Sequence, residues 1–311
     1  MKISIIGAGN VGGLTSLRLV EAGLGDVLLV DIARGLAQGK ALDLEDAGSV
    51  LKFNYRIQGT EDIEKAKDSE IIIITAGEAR KPGMTREDLV NKNAKILKDV
   101  CLKIKKISPQ SILIVVTNPL DLMTYLALKI TGFKPHKVLG MGISLDTARF
   151  ANLISRELNI PNTDIEACVI GSHGEGMLPL PRFSNVKGMQ INELLDDEKI
   201  KVITKKTVER GKEIVSLLGN GSAAFAPSQA IAMLVKIILK DEKRTIGVSA
   251  YLNGEYGLKD ICIGVPCRLG KEGIEKIIEF DLNKEERLLF LQSAESIRRN
   301  LDLIKPFCHG L

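Results

Sequence analysis

The sequence lacks any apolar run approaching the roughly 18 residues that a membrane-crossing helix needs, so no span is expected among its 311 residues. It also lacks the marks of an export leader. Met1 passes within one residue into the short apolar run 3–6, without a basic region, a long apolar segment and a cleavage site in succession. Cysteine is sparse: Cys101, Cys168, Cys262, Cys267 and Cys308 are odd in number and show no C-x-x-C spacing, which argues against a redox or zinc motif. Free thiols in a reducing cytoplasm are the expectation. Only three histidines occur, His136, His173 and His309, none paired at ligand spacing with another His or a Cys, so no metal site is expected. Charge of one sign is not in excess either. Lys and Arg total 43 against 39 acidic residues, and the net +4 is spread along the chain in short clusters such as Lys103, Lys105 and Lys106. That argues against nucleic acid as a partner and fits a solvated surface with a mild attraction for anionic metabolites.

What is present is an ordinary globular composition, 45% hydrophobic and 26% charged, long enough for two cores. The first half alternates apolar runs at 3–6, 27–30, 71–75 and 112–117 with amphipathic stretches. Such continuous runs suit parallel strands covered on both faces. Between them, 11–22 reads as a helix, and Val90, Leu97, Cys101 and Ile104 recur at helical spacing before Ser108-Pro109. This is the βαβ alternation of a Rossmann-type, doubly wound α/β fold. After about Gly142 the pattern changes. A helix is expected over 144–158, then β-type segments at 165–170, 245–252 and 261–265, with Asn253-Gly254 marking a turn between the last two. The second half is therefore expected to be α+β with antiparallel strands, closed by a helix over 285–303 whose stripe is Leu288, Leu291, Ala294, Ile297 and Leu301. With no repeat or low-complexity linker, the division is drawn at 1–142 and 143–311.

Gly7-Ala8-Gly9-Asn10-Val11-Gly12 follows the first strand and opens the first helix. Glycine at 7 permits a tight turn, at 9 a close backbone approach to a pyrophosphate, and at 12 close helix-to-strand packing. Free N–H groups and the helix dipole then attract phosphate. The motif alone is weak in a chain with 29 glycines, but Asp31 ends the second strand, 19 residues beyond Gly12. A carboxylate there accepts hydrogen bonds from an adenosine ribose and repels a 2′-phosphate, so NAD is expected over NADP.

His173 lies in Gly171-Ser172-His173-Gly174-Glu175-Gly176, a glycine-flanked loop after a strand. Hydride exchange between a carbonyl and an alcohol needs a proton donor and acceptor working near neutral pH, which imidazole supplies; a histidine satisfied within its loop has the same appearance. Asp146 and Arg149 stand three apart on one helix face. They form either a plain intrahelical ion pair worth about 0.3–0.5 kcal/mol or a functional set, in which Asp146 orients the imidazole and Arg149 grips a carboxylate with two parallel hydrogen bonds. The stretch 75–86 leaves the third strand with two glycines, a proline and the three cations Arg80, Lys81 and Arg86. At the carboxyl end of a parallel strand it reads as a lid carrying arginines over an anion. Asn118, followed by Pro119, occupies a similar strand end.

Taken together, the glycine fingerprint, Asp31, the arginine lid, T-N-P, L-D-T-A-R and G-S-H-G-E occur in one order over essentially the whole chain. In this the sequence resembles the lactate and malate dehydrogenase family. The resemblance implies that His173 is the proton donor and acceptor, with Asp146 its orienting partner. Arg149 then clamps the carboxylate beside the reacting carbon, Arg86 polarises the carbonyl and Asn118 positions the substrate. It places the cofactor on Gly7, Gly9, Asn10, Val11, Gly12, Asp31, Thr75, Ala76, Gly77, Asn93, Val116 and Asn118. It further implies a homodimer or homotetramer. Substrate choice turns on Arg80, where lactate enzymes carry glutamine and malate enzymes arginine, so malate and oxaloacetate are the expected substrates. Lys81-Pro82-Gly83-Met84 and the segment 221–227, with the small Ala223, look malate-type too. Glu78-Ala79 departs from the family pattern, which more often has an apolar or proline residue and then a second basic one, and this leaves the lid's detailed electrostatics unassigned.

Overall fold

The computed structural model describes residues 1–79, 83–219 and 221–308. The first half runs β1 (Lys2–Ile6), α1 (Asn10–Glu21), β2 (Asp26–Val30), α2 (Leu36–Val50), β3 (Ile57–Thr60), β4 (Ile71–Ile74), α3 (Arg86–Ile107), β5 (Ile112–Val115), α4 (Leu120–Thr131) and β6 (Val138–Gly140). Its six strands are parallel in the order β3-β2-β1-β4-β5-β6. The order reverses between β1 and β4, and open sheets of this kind bind ligands at that point. β4 is four consecutive isoleucines, all buried, as a strand covered on both faces requires. α3 starts where Thr85 and Asp88 exchange side-chain and backbone bonds in a capping box. Its buried stripe contains Val90, Leu97, Cys101 and Ile104.

The second half runs α5 (Ile143–Leu158), β7 (Ile165–Glu166), β8 (Val169–Gly171), β9 (Met177–Pro179), β10 (Asn185–Val186), β11 (Met189–Gln190), α6 (Ile191–Leu194), α7 (Asp197–Leu218), α8 (Phe225–Leu239), β12 (Arg244–Asn253), β13 (Lys259–Gly270), β14 (Gly273–Ile277), α9 (Lys284–Leu301) and α10 (Lys305–Cys308). The antiparallel pairing expected of β12 and β13 is present over almost their whole length. The two halves share one sheet: β12 joins β6 through Ser249 opposite Gly140, and β13 joins β8 through Gly264 opposite Gly171.

Two glycines in this sheet let α5 lie directly against it. A side chain on Gly264 would come within 1.9 Å of Ile143 Cγ1, and one on Gly247 within 2.6 Å of Ile143 Cγ2. The first turn of α5, which carries Asp146, is thereby seated on β12 and β13. Among the described residues, no helix is long and apolar enough to cross a membrane.

Three details differ from the sequence reading. The run 165–170 is two strands in different sheets, β7 in a small three-stranded sheet and β8 in the main one. Asn253-Gly254 begins a longer connection containing a short 3-10 turn (Glu255–Gly257). On α9 the buried residues are Phe290, Ser293, Ala294 and Ile297, while Leu288 is 56% exposed and Leu291 39%. The apolar pattern of α9 allows more than one face, and the large ring of Phe290 takes the inner one, its centroid 5.0 Å from that of Tyr256.

Candidate active site

The glycine loop sits at the carboxyl end of β1. Gly7 has φ +110°, and a side chain there would meet Ala76 N and Thr75 Oγ1 at 2.7 Å. The residues leaving β4 pack that closely because Thr75 Oγ1 donates to Gly7 O at 2.9 Å. A side chain on Gly12 would lie 1.9 Å from Gly7 O, so α1 can start this close to β1 only with glycine. Gly9 differs: a side chain there would meet nothing within 4 Å. α1 has no side-chain cap at Gly9, so N–H groups of its first turn remain available to an anion. Asn10 is exposed and Val11 half-buried beside this end.

Asp31, just past β2, accepts from Ala8 N at 2.6 Å and from Ala33 N at 2.8 Å, which fixes its carboxylate against the loop. Sequence reasoning passes over Lys40, which reaches from α2 to donate to Ala8 O at 2.7 Å and Gly9 O at 3.2 Å. Nothing in its local sequence marks it, because the contact spans more than 30 positions. These features fit a dinucleotide: an open glycine, an uncapped helix start and a fixed carboxylate converge at the switch point.

Across the sheet, α5 and the β8–β9 loop bring Asp146, Arg149 and His173 together. Asp146 is fully buried. Its Oδ2 is 2.7 Å from His173 Nδ1 and its Oδ1 accepts from Arg149 Nη1 at 3.1 Å. A carboxylate can only accept, so the neutral imidazole carries its proton on Nδ1 and leaves Nε2 to exchange one. Burial disfavours the imidazolium, but the attraction and hydrogen bond of Asp146, aided by Asp121, outweigh it, and the His173 pKa is raised above its ordinary 6.5. Arg149, with 11% of its side chain exposed, packs close to Gly211 on α7, where a Cβ would come within 3.3 Å of Nη1. Arg149 Nε is buried with no partner among the described residues. Asp146 fixes the guanidinium through Nη1 alone, and a guanidinium held in this way keeps further N–H groups of the kind that bind a carboxylate in parallel.

Sequence reasoning also misses Asp121 and Ser249. Asp121, in the first turn of α4, accepts from the His173 backbone N–H at 2.9 Å and from Ser249 Oγ at 2.6 Å. The available signal is a lone acid in the otherwise apolar start of α4, but acids are common in first turns, and Ser249 lies 128 residues away.

Asn93 is 1% exposed. Its amide accepts from Glu78 N at 2.8 Å and donates to Glu78 O at 3.1 Å and Asn118 O at 2.7 Å. It ties together the exits of β4 and β5, where the exposed Gly77 and Asn118 and the half-buried Thr75, Ala76 and Val116 lie. The Asn118–Pro119 bond is cis. Arg86 is exposed in the first turn of α3. Arg80 lies outside the described residues, as do Lys81 and Pro82.

Comparison with known proteins places these features in context. The family model for the lactate/malate dehydrogenase NAD binding domain matches residues 1–140, and that for the lactate/malate dehydrogenase alpha/beta C-terminal domain matches 143–308. A curated malate dehydrogenase of Methanosarcina mazei is 48% identical over 305 residues, covering 98% of this chain and 99% of that protein. The solved apo malate dehydrogenase of Picrophilus torridus superposes with a TM-score of 0.95 at 42% identity, covering 98% of each chain. A lactate dehydrogenase of Eimeria maxima, solved with NADH and oxamate, also reaches 0.95 at 36% identity, over 99% of this chain and 95% of that one. The backbone alone thus does not separate the two substrates.

Proposed function

Because the chain belongs to the lactate/malate dehydrogenase family, whose N-terminal domain binds NAD, we propose that it is an oxidoreductase interconverting (S)-malate and oxaloacetate with NAD as cofactor. One observation carries the chemistry: a single buried carboxylate, Asp146, holds both the proton-exchanging imidazole and the guanidinium. A proton donor and a carboxylate clamp are thereby fixed to one point.

In this reading Gly7, Gly9, Asn10, Val11 and Gly12 cradle the pyrophosphate, Asp31 takes the ribose, and Thr75, Ala76, Gly77, Val116 and Asn118 line the nicotinamide end. Asn93 serves by holding the backbone at Glu78 and Asn118. The bound cofactor supplies or accepts the hydride. Arg149 binds the substrate carboxylate next to the reacting carbon, Arg86 draws charge onto the carbonyl oxygen, and His173 gives that oxygen its proton from Nε2. Asp146 keeps the ring turned and stabilises its protonated form.

Substrate choice rests on Arg80 and on the curated relatives. Oxaloacetate carries a second carboxylate that would be costly to bury unpaired, and an arginine neutralises it with directed bonds. Pyruvate would leave that arginine without a partner, at a cost of about 2–5 kcal/mol, or roughly 30-fold to several thousand-fold in kcat/KM. The test is turnover of oxaloacetate and of pyruvate, each with NADH and NADPH. Preference for oxaloacetate with NADH is expected, and preference for pyruvate would defeat the assignment.

The partner proposed is a second copy of the chain, as a homodimer or homotetramer in the cytoplasm. Supporting this, apolar side chains at the end of α7 and the start of α8 stand open beside a groove of about 620 Å³ whose other wall is the glycine-loop end at Asn10 and Gly13. Phe225 is 74% exposed and Leu218 55%. Sedimentation equilibrium that found only monomer would remove this part.

A further inference from the structure

Asp121 takes no part in the steps above, yet it is 5% exposed and bonded to the backbone of the proposed proton carrier. Burying an ionisable carboxyl is expensive, and an apolar residue in α4 would pack at lower cost. The structure instead supplies two donors to it, the His173 N–H at Oδ2 and the fully buried Ser249 hydroxyl at Oδ1. The charged groups that act on His173 are Asp146 and Arg149 from α5 and Asp121 from α4. Those that act on Asp121 are His173 and Asp146, and Asp121 in turn acts on the buried Cys262 thiol of β13. On the far side of the loop, Glu175 is engaged by Lys212 of α7 and feels Arg86.

We propose that Asp121 is a positioning residue for His173: from α4 it holds the loop backbone so that the ring meets Asp146, and its negative charge reinforces that of Asp146 behind the imidazolium. This rests on the reading of His173 as the group that exchanges the proton. The carboxyl is also placed to titrate alongside the ring, since burial lifts its pKa to about 6 against the two hydrogen bonds. Above that pH its charge favours the protonated imidazole. Below it, that support is withdrawn.

The test uses Asp121→Asn, which removes the charge while leaving an oxygen for the His173 N–H and an amide for the Ser249 oxygen. With three histidines in the chain, the His173 ring signal can be followed by NMR through a pH titration and assigned with His173→Asn. Asp121→Asn is expected to lower the His173 midpoint by at least half a unit, about a threefold fall in the imidazolium-to-imidazole ratio at a given pH above 6. Ser249→Ala, which strips one donor from the carboxylate and lets it hold its own proton more tightly, should move the midpoint the same way by less. It also serves as the reading if Asp121→Asn does not fold. In turnover, the charge-removing variant should lose kcat/KM for oxaloacetate on the alkaline side and gain it for malate between about pH 6 and the wild-type His173 midpoint. A merely structural role would lower both. An unchanged His173 midpoint in both variants, or equal losses in both directions with no shift, would overturn the proposal. A midpoint shift in Asp121→Asn together with a wild-type chain that reduces no oxaloacetate would sink the functional reading and leave the coupling of the two residues standing.

Discussion

Gly142 ends the turn between β6 and α5 and lies directly under the proposed proton carrier. A methyl group there would sit 2.8 Å from His173 Cβ, 2.9 Å from its Cγ and 2.2 Å from Leu120 Cδ2. Its φ of −140° lies outside the left-handed region that favours glycine, so contacts dominate the effect of Gly142→Ala. Carbon atoms rest at about 3.5 Å or more, so His173 must retreat by about 0.7 Å and the end of Leu120 by about 1.3 Å. Leu120 can turn its terminal methyl away. His173 cannot move freely, because its ring is 2.7 Å from Asp146 and its backbone is bonded to Asp121 at 2.9 Å. Misplacing a catalytic group by about 1 Å costs on the order of 100-fold, so kcat/KM for oxaloacetate should fall about 10- to 100-fold. Overpacking should lower stability by about 1–3 kcal/mol. Steady-state kinetics, NADH fluorescence titration and urea unfolding would read the three quantities separately, and NADH affinity should not change. Adding Leu120→Ala relieves the shortest contact but not the one with the ring. It should couple favourably with Gly142→Ala in stability, by roughly 0.5–3 kcal/mol, without restoring turnover. A folded Gly142→Ala enzyme within twofold of wild-type turnover would refute the claim that the ring is held this tightly.

Four further outcomes are expected. Asp146→Asn should cut kcat by about 100- to 10,000-fold, because it leaves the imidazolium and Arg149 without their shared counter-charge, while NADH still binds; loss of less than tenfold would count against Asp146 as the common anchor. Since His173 must be protonated for reduction and neutral for oxidation, kcat/KM for oxaloacetate should fall, and that for malate rise, as pH climbs through a midpoint above 6.5; parallel profiles would contradict the assigned role. Gly12→Ala should destabilise the protein without any ligand, whereas Gly9→Ala should leave apo stability unchanged and weaken NADH binding at least about tenfold; calorimetry of both variants separates the internal from the ligand-facing requirement. Finally, Asp121 has a folded pKa raised to about 6 from 3.8, so the folded state holds a proton there that the unfolded chain has lost. That contribution favours the fold below about pH 4 and disappears as pH rises through 6, on the order of 3 kcal/mol. Urea unfolding across that window should show wild type losing stability relative to Asp121→Asn, and a constant difference would mean that the buried carboxyl is not raised.

The sequence was most legible where one signal dominated. β1, β2, β4 and β5 are short unbroken apolar runs, and parallel strands covered on both sides can be little else. β3, reading Ile-Gln-Gly-Thr, carries no such run because it is the edge of the sheet, and β6, Val-Leu-Gly, is fully buried but too short to stand out from the chain around it. The run at 165–170 looks like one strand because pattern along a chain cannot show that β7 and β8 leave for different sheets. At the site, residues 146 and 173 could be joined only as one of two readings until the family resemblance chose between them, since their contact spans 27 positions and exists only once α5 is seated on β12 and β13. The glycine loop was legible because its demands are local; Lys40, which braces it from α2, was not. Asp121 stayed hidden because an acid at a helix start has an ordinary explanation, and only the fold reveals that its partners are a histidine backbone and a serine from the opposite half.

The unbroken sheet has a consequence for how this enzyme can change its diet. Asp121, Asp146, Arg149, His173 and Ser249 are mounted on elements from both sides of the β6–β12 junction, so the proton apparatus stands on a common anvil. None of these five belongs to the stretch 78–86. On the proposed reading, replacing Arg80 can therefore change which keto acid is admitted and leave the hammering surface untouched so long as Arg86 is kept, whereas any alteration that slides β12 along β6 would blunt the tool for every substrate at once.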